Sequence, residues 1–518
     1  MIETELKISL DDPAMTRVRR LPALAGMRLV PRRREKLVSI YYDTAGNALA
    51  AAGVSLRLRR VGRTWVQTIK RKDEGSAANG LFSHRETEVP APGGRLLLEG
   101  PDPDGALSAI AAAAEGAPLS PVFETHVERV TELLRAADGS EVELALDDGE
   151  IRAGARRWPI REAEFELKSG SVTALYAVAR DLLSGGAFRF GALNKAARGY
   201  RLAASGAGEP ELSPRRAGTV PVDAETPVEV AARDVLRDCL AQIADNIAVV
   251  ADSDAIEGPH QLRVGLRRLR TALAVFDPAI GSPASRALAE AAKELGRAAG
   301  QLRDADVLAD ELVAGALARG PDAAAQSALT AALAVRRAKI RARVRTTLAS
   351  PETMRFLFDL GAFIEGRGWL LPSDYSQTAR LAAPIGEVAP AMLDKRHGKA
   401  LKRGRRIRSL DAEGLHALRK ELKKLRYAVD MLGPIYKESR VDGYLRQLRE
   451  LQDTFGSLND AAMAAAELGG HDAPHRHDPD AQRAVGWVLG VLAVRAEDDR
   501  PQLFDRWDRL EKAPHFWG

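Results

Sequence analysis

Five stretches of the N-terminal part alternate with a period of two: VSLRLRRV (54–61), TWVQTIKR (64–71), SHRETEVP (83–90), EVELALDD (141–148) and REAEFELK (161–168). Successive strand side chains point to opposite faces, so each stretch predicts a strand with a charged face. Gly, Asp and Pro between them read as turns. The opening MIETELKISL continues the pattern, with Glu3, Glu5 and Lys7 on one face and Thr4, Leu6 and Ile8 on the other. Further along, the period changes. VAARDVLRDCLAQIADNIAVV (230–250) carries apolar residues at helical spacing, in a half rich in Ala, Leu and Arg. Between the two lies SGAGEPELSPRRAGTVPVDAETP (205–227), whose Gly, Pro and Ser content reads as a linker. The pattern predicts a strand-rich domain over 1–203, a linker over 204–224 and a helical domain over 225–510.

The helical part repeats itself. HQLRVGLRRLR (260–270) resembles HALRKELKKLR (416–426), and GQLRDAD (300–306) resembles GSLNDAA (456–462), both offset by 156 residues. Two separate matches at one offset point to a duplicated helical unit, hence two pseudo-symmetric bundles.

Composition narrows the class. The 518 residues exceed one ordinary domain, and an apolar content of 45% supports real cores. A net charge of +5 is too small to name a partner, so the clustering of charge matters more. A single cysteine, Cys239, excludes an intrachain disulfide framework and a cysteine-built zinc site. No run approaches the roughly 20 apolar residues of a membrane helix, and the N-terminus shows no secretory pattern. The expectation is a cytoplasmic protein that does not engage a membrane.

The charged strand faces carry the chemistry. Glu3, Glu5 and Lys7 share a face, as do Arg57 and Arg59, Glu86 and Glu88, and Glu162, Glu164, Glu166 and Lys168. One such strand is commonly a solvated outer face. Solvent faces usually mix Thr, Ser, Gln and Lys, whereas here acids cluster on some strands and arginines on others. A hollow barrel that holds a divalent cation beside a polyanion needs that segregation. Carboxylate oxygens suit Mg²⁺ or Mn²⁺, and Arg and Lys suit phosphate oxygens.

The EXEXK opening resembles the signature of the CYTH family, the triphosphate tunnel metalloenzymes. YYDT (41–44), LRLRR (56–60), TIK (68–70), HRETE (84–88), ALDDG (145–149), EFELK (164–168) and NKAARGY (194–200) follow in family order. The resemblance covers about residues 1–203. It implies an antiparallel β-barrel tunnel that cleaves triphosphate-containing substrates with Mg²⁺ or Mn²⁺. Carried over by position, Glu3, Glu5, Asp147, Glu164 and Glu166 match the metal side. Lys36, Arg57, Arg59, Lys70, Arg85, Arg129 and Lys195 match the substrate side. Lys7, Glu86 and Glu88 fall at the reaction centre. Glu162 is set aside as lying near the tunnel mouth, and Tyr42 as a packing residue. THVER (125–129) departs from the pattern, with His126 where relatives commonly carry a basic residue.

The implied activity is metal-dependent hydrolysis of inorganic triphosphate, driven by positioning and electrostatics. No Ser–His or Cys–His pair suggests a covalent intermediate. Thiamine triphosphatase and class IV adenylate cyclase activities are alternatives within the family. A non-catalytic polyphosphate-binding protein targeted to granules is an alternative of another class; the intact acid set argues against it.

In the helical half, His260, Arg263, Arg267 and Arg270 share one broad helix face, flanked by Arg268. His416, Arg419, Lys423 and Arg426, flanked by Lys424, repeat it. One basic helix is ordinarily an exposed face with ion-pair partners; the same face built twice favours a shared anion surface. KRHGKALKRGRRIR (395–408) adds basic density nearby. These segments, with LRDADVL (302–308) and LNDAA (458–462), resemble the CHAD domain over about residues 225–510. That resemblance implies an all-α duplicated bundle that binds inorganic polyphosphate along a basic channel. Asp304 and Asp460 are expected to hold arginines in place. Nucleic acid is the weaker partner, because no base-reading motif accompanies the charge and aromatics form 5% of the chain.

Overall fold

The structure is a computed structural model. It describes residues 2–72, 79–186, 188–191, 193–205, 212–470, 473 and 475–517. The chain divides into two compact units: residues 1–213 with 349–368, and residues 214–348 with 369–518.

The first unit is built on nine strands: β1 (Ile2–Ser9), β2 (Arg33–Asp43), β3 (Val54–Val61), β4 (Thr64–Lys72), β5 (Leu81–Pro90), β6 (Ser120–Arg135), β7 (Glu141–Ala153), β8 (Arg156–Ser169) and β9 (Arg189–Phe190). The order β5-β4-β3-β2-β6-β7-β8-β1 closes on itself through β5–β1 pairing, giving an eight-stranded antiparallel barrel. The short β9 pairs with the end of β1 beyond β5, opposite Ile8 and Ser9. Closure leaves the eight barrel strands without an open edge, and only the two-residue β9 ends the sheet among the described residues.

The usual polarity of a barrel is inverted over most of its length. Leu56 and Ile69 face outward, covered with Leu49 and Val54 by the helix Ala106–Ala114. Leu6 and Ile8 are fully buried on the side covered by the helix Val172–Leu183. The charged alternates therefore point inward, as the strand period predicts. One end of the interior is apolar: Leu37, Tyr41, Phe123, Val127, Trp158 and Ile160 pack with Leu202 of the helix Lys195–Ser205. This helix approaches so closely that a Cβ on Gly199 would lie 2.0 Å from the Phe123 ring, a contact that only glycine escapes.

A helix from the middle of the C-terminal sequence, Pro351–Glu365, belongs to this barrel unit. It packs on Val172–Leu183. Its Phe358, fully buried, stacks on Phe188 with centroids 4.3 Å apart and meets Phe190 edge-on at 5.9 Å.

The second unit is all-α. Its long helices fall into two quartets: Val228–Asp252, Glu257–Val275, Pro283–Asp306 and Ala323–Leu348, then Ile385–Gly404, Ala412–Leu432, Glu438–Gly469 and Pro479–Glu511. The repeat offset read from the sequence maps the second helix of one quartet onto the second of the other, and these two pack together. No helix among the described residues is long and apolar enough to cross a membrane.

Candidate functional site

The barrel encloses a cavity of about 1060 Å³. Strand register explains its lining. Glu3, Glu5 and Lys7 of β1 face Glu164 and Glu166 of β8, with Glu5 opposite Glu166 and Lys7 opposite Glu164. Across β3–β4–β5, Arg57 pairs with Thr68, Thr68 with Glu88, and Lys70 with Glu86. On the far wall Arg129 of β6 stands opposite Asp147 of β7.

At one side of the cavity, cations and carboxylates are interlocked. Lys7 Nζ lies 2.8 Å from Glu5 Oε2 and also bonds Glu164. Arg129 grips Asp147 with two bonds and donates to Glu164 Oε2 at 2.6 Å. Lys195 Nζ reaches Asp147 Oδ2 at 2.6 Å and Glu164 Oε1 at 2.8 Å, and it bonds Glu162. Burial opposes these charges, but the pairing outweighs it. Asp147 is held down to about 2 chiefly by Arg129 and Lys195, and Lys7, Arg129 and Lys195 are all pushed up.

Opposite them, the arginines are poorly neutralised. Arg57 is 3.4 Å from both Glu86 Oε1 and Tyr41 Oη. Arg59 donates to Ser39 Oγ at 3.4 Å and has no carboxylate at ion-pair distance among the described residues. Burial, then Arg57 and Arg129, press it down to about 10. Glu88 accepts from Thr68 Oγ1 at 2.9 Å. Near the other rim, Glu166 bonds Lys168 at 2.5 Å, yet burial, with Glu3 and Glu143 nearby, raises it to about 7.

Among the described residues, two groups of side chains could hold a divalent ion, each with donor atoms within 4.8 Å of one another: Glu3–His84–Glu86 and Asp147–Glu162–Glu164. Their donors are mainly hard carboxylate oxygens, which fit Mg²⁺ or Mn²⁺. Burial raises Glu3, but bonds to His84, Glu86 and Lys70 hold its carboxyl below the usual range. Glu86 is raised by burial and by its bond to Glu3.

Most residues expected in the tunnel come together there. Lys36 and Arg85 do not: both are exposed, and the register turns them to the outer face beside Glu128 and Ile2. Their neighbours Leu37 and Glu86 take the inward positions. Glu162 is buried beneath Lys195 and Arg198, away from any mouth. Tyr42 packs outside, while Tyr41 lines the cavity. His126 also faces away, toward Glu124, and leaves Arg129 inside. Sequence reasoning missed His84, Arg198, Glu143 and Tyr41. His84 shares the face of Glu86 two residues on, and Arg198 lies one helical turn past Lys195, so periodicity could have found both.

In the helical unit, two adjoining cavities of about 890 and 880 Å³ share Arg263, Arg267, His416, Arg419 and Lys423. His260 and Arg426 line the first; Arg270 and Lys424 line the second. Asp304 holds Arg263 at 2.7 Å, as expected. Lys423 has no ion-pair partner among the described residues, and burial with Arg267, Arg419, Arg263 and Arg426 drives it down to about 6. Arg268 is not part of this face. It is buried, 2.8 Å from Asp238 and 2.7 Å from Gln242. Of the 395–408 run, Arg396 lines the second cavity, His397 is buried beside Tyr444 and Trp517, and Arg408 pairs with Asp508.

A closed antiparallel barrel with an acid–base interior, followed by a duplicated basic helical unit, is the architecture of a CYTH domain joined to a CHAD domain. The chain belongs to the CYTH–CHAD proteins: the CYTH domain family matches residues 1–200 and the CHAD domain family residues 234–469. It is 34% identical over 169 residues to an inorganic triphosphatase of Haemophilus influenzae. That match takes in 32% of this chain and 46% of the relative, so the chain spans under half the length of that protein. An uncharacterised Mycobacterium tuberculosis protein is 24% identical over 506 residues, 92% of this chain and 90% of its own. The crystal structure of the CHAD domain from Ricinus communis is similar at 28% identity and a TM-score of 0.50, covering 58% of this chain and all but 1% of that one.

Proposed function

We propose that the barrel hydrolyses inorganic triphosphate and that the helical unit binds inorganic polyphosphate. The observation that carries the first part is Arg59. A half-buried guanidinium beside Arg57 and Arg129, bonded to Ser39 and with no carboxylate at ion-pair distance among the described residues, calls for an anion. Arg57 and Arg59 receive the phosphate oxygens, and Lys7, Arg129 and Lys195 stand behind them as charges fixed by carboxylates. A divalent cation held by the cavity carboxylates would supply Lewis acidity toward phosphate oxygens. Glu88, fixed by Thr68 on the arginine wall, can orient an attacking water or accept its proton. Preorganised charge of this kind is what phosphoryl transfer requires. The similarity to the inorganic triphosphatase of Haemophilus influenzae supports this substrate.

The shared basic cleft of the helical unit supports the second part. A polyanion lying along it neutralises Arg263, Arg267, Arg419 and Lys423 together, and among the described residues no carboxylate stands at ion-pair distance from Lys423.

The test is phosphate release by the full chain from triphosphate, ATP, thiamine triphosphate and long-chain polyphosphate, each with Mg²⁺ and with Mn²⁺. Triphosphate is expected to turn over fastest. A preference for ATP or thiamine triphosphate would replace the substrate, and no release from any of them would remove the catalytic reading.

A further inference from the structure

The tunnel contains a cation site that its own side chain fills. Lys70 Nζ lies 2.8 Å from Glu3 Oε2, 2.9 Å from Glu86 Oε2 and 2.7 Å from His84 Nε2. Three lone-pair donors from two neighbouring strands, β1 and β5, converge on one ammonium of β4. Register enforces this: Glu3 is opposite His84 across β1–β5, and Glu86 is opposite Lys70 across β4–β5. The imidazole nitrogen is 2.6 Å from Glu3 Oε2 and 3.6 Å from Glu5 Oε1.

We propose that the divalent cation of the tunnel binds where the Lys70 ammonium now sits, with His84 Nε2 as a direct ligand beside Glu3 and Glu86, and that Lys70 is displaced toward the substrate phosphate. The proposal rests on the hydrolase reading for the substrate but not for the metal.

The second acidic group is a poorer host. Asp147, Glu162 and Glu164 are already engaged by Lys7, Arg129, Lys195 and Arg198. An ion there would strand several buried cations without partners, a costly exchange. At Glu3–His84–Glu86 only one flexible side chain must leave. Lys70 is 23% exposed and lines the cavity beside Arg57, so its released charge has a phosphate to meet.

The nitrogen ligand has a chemical consequence. Mg²⁺ prefers an all-oxygen shell, whereas imidazole suits first-row transition ions. The site should favour Mn²⁺ over Mg²⁺ more than a carboxylate-only tunnel would. Metal and substrate should also bind cooperatively, because the ammonium that the metal expels is a ligand for the phosphate.

The experiment is Mn²⁺ titration of the full chain, with pulsed EPR to read nitrogen coupling, without substrate. Wild type should show ¹⁴N coupling to bound Mn²⁺. His84→Gln should lose it and bind Mn²⁺ about tenfold more weakly, with a smaller change for Mg²⁺. Lys70→Met should bind Mn²⁺ more tightly, since no ammonium competes. Mn²⁺ bound to wild type without nitrogen coupling would overturn the ligand assignment. Weaker Mn²⁺ binding by Lys70→Met would overturn the displacement. Neither readout needs turnover, so an inactive but nitrogen-coupled protein would count against the hydrolase reading alone.

Discussion

Arg129 holds Asp147 in a two-bonded fork, Nε to Oδ1 at 2.7 Å and Nη2 to Oδ2 at 2.6 Å. Asp147 is wholly buried, so the fork fixes the guanidinium in the tunnel wall. Asp147→Asn removes one countercharge from both Arg129 and Lys195, leaving Glu164 to hold the first and Glu162 and Glu164 the second. Loss of one partner from a buried ionic network costs about 3–5 kcal/mol. The variant should unfold at correspondingly lower denaturant and turn over triphosphate more slowly. Unchanged stability with lost turnover would assign Asp147 to the metal rather than to Arg129.

Arg267 and Arg268 are adjacent and should behave oppositely. Arg267 lines both cavities of the cleft, whereas Arg268 is locked against Asp238 and Gln242. Arg267→Ala should weaken long-chain polyphosphate binding and flatten its salt dependence, with little effect on unfolding. Arg268→Ala should lower stability first, because it takes the closest cation from Asp238, whose other ion-pair partner, Arg215, stands 3.8 Å away. Titration of polyphosphate at several salt concentrations, beside denaturant melts, separates them.

Lys423 sets a pH dependence. In the free protein it loses its proton above about pH 6. A bound phosphate restores the charge, so between there and the ordinary lysine range, about 10.4, binding takes up a proton. Affinity should therefore fall as pH rises, by up to about tenfold per unit. Stability of the free protein should move the other way. The unfolded chain keeps this proton where the folded one does not, so rising pH favours folding across the same window. Calorimetry in buffers of different ionisation enthalpy measures the uptake, and Lys423→Met should abolish it. Equal proton uptake by that variant would transfer the effect to another group.

Phe358 ties the Pro351–Glu365 helix to the barrel. Truncating a buried Phe to Ala typically costs about 3–5 kcal/mol. The neighbourhood also reaches Lys7: Gly191 N–H, next to Phe190, donates to the Lys7 carbonyl at 2.9 Å. Phe358→Ala should thus destabilise the barrel and lower triphosphate turnover while sparing polyphosphate affinity. Loss of polyphosphate binding with an unaffected barrel would contradict this placement.

Much of the barrel was legible because a period of two leaves little freedom. Once Glu86 and Glu88 face in, so must His84, and Arg85 cannot; the error at Arg85 was one of parity that the sequence itself could have corrected. Lys36 needed more. Its face follows from the Ser39 and Tyr41 positions, and YYD offers two tyrosines of opposite parity. On helices the angular step is coarser, and Arg268 lies one step from Arg267 with nothing local to reveal Asp238. The metal role of His84 was hidden because its ligand set exists only after β1, β4 and β5 are paired. Least legible was the Pro351–Glu365 helix. Its amphipathic face looks like that of any bundle helix, and its partners Phe188 and Phe190 are remote in sequence.

That remoteness bears on how the protein is made. A ribosome has delivered every strand of the barrel long before Phe358 emerges. At roughly 5–20 residues per second, the wait is on the order of ten seconds. Until then Phe188 and Phe190 lack the cover of Phe358, and the nascent barrel presents an aromatic patch beside β1. The first domain to begin folding is therefore among the last to be completed, and a chaperone that shields aromatic surface has a defined interval in which to act.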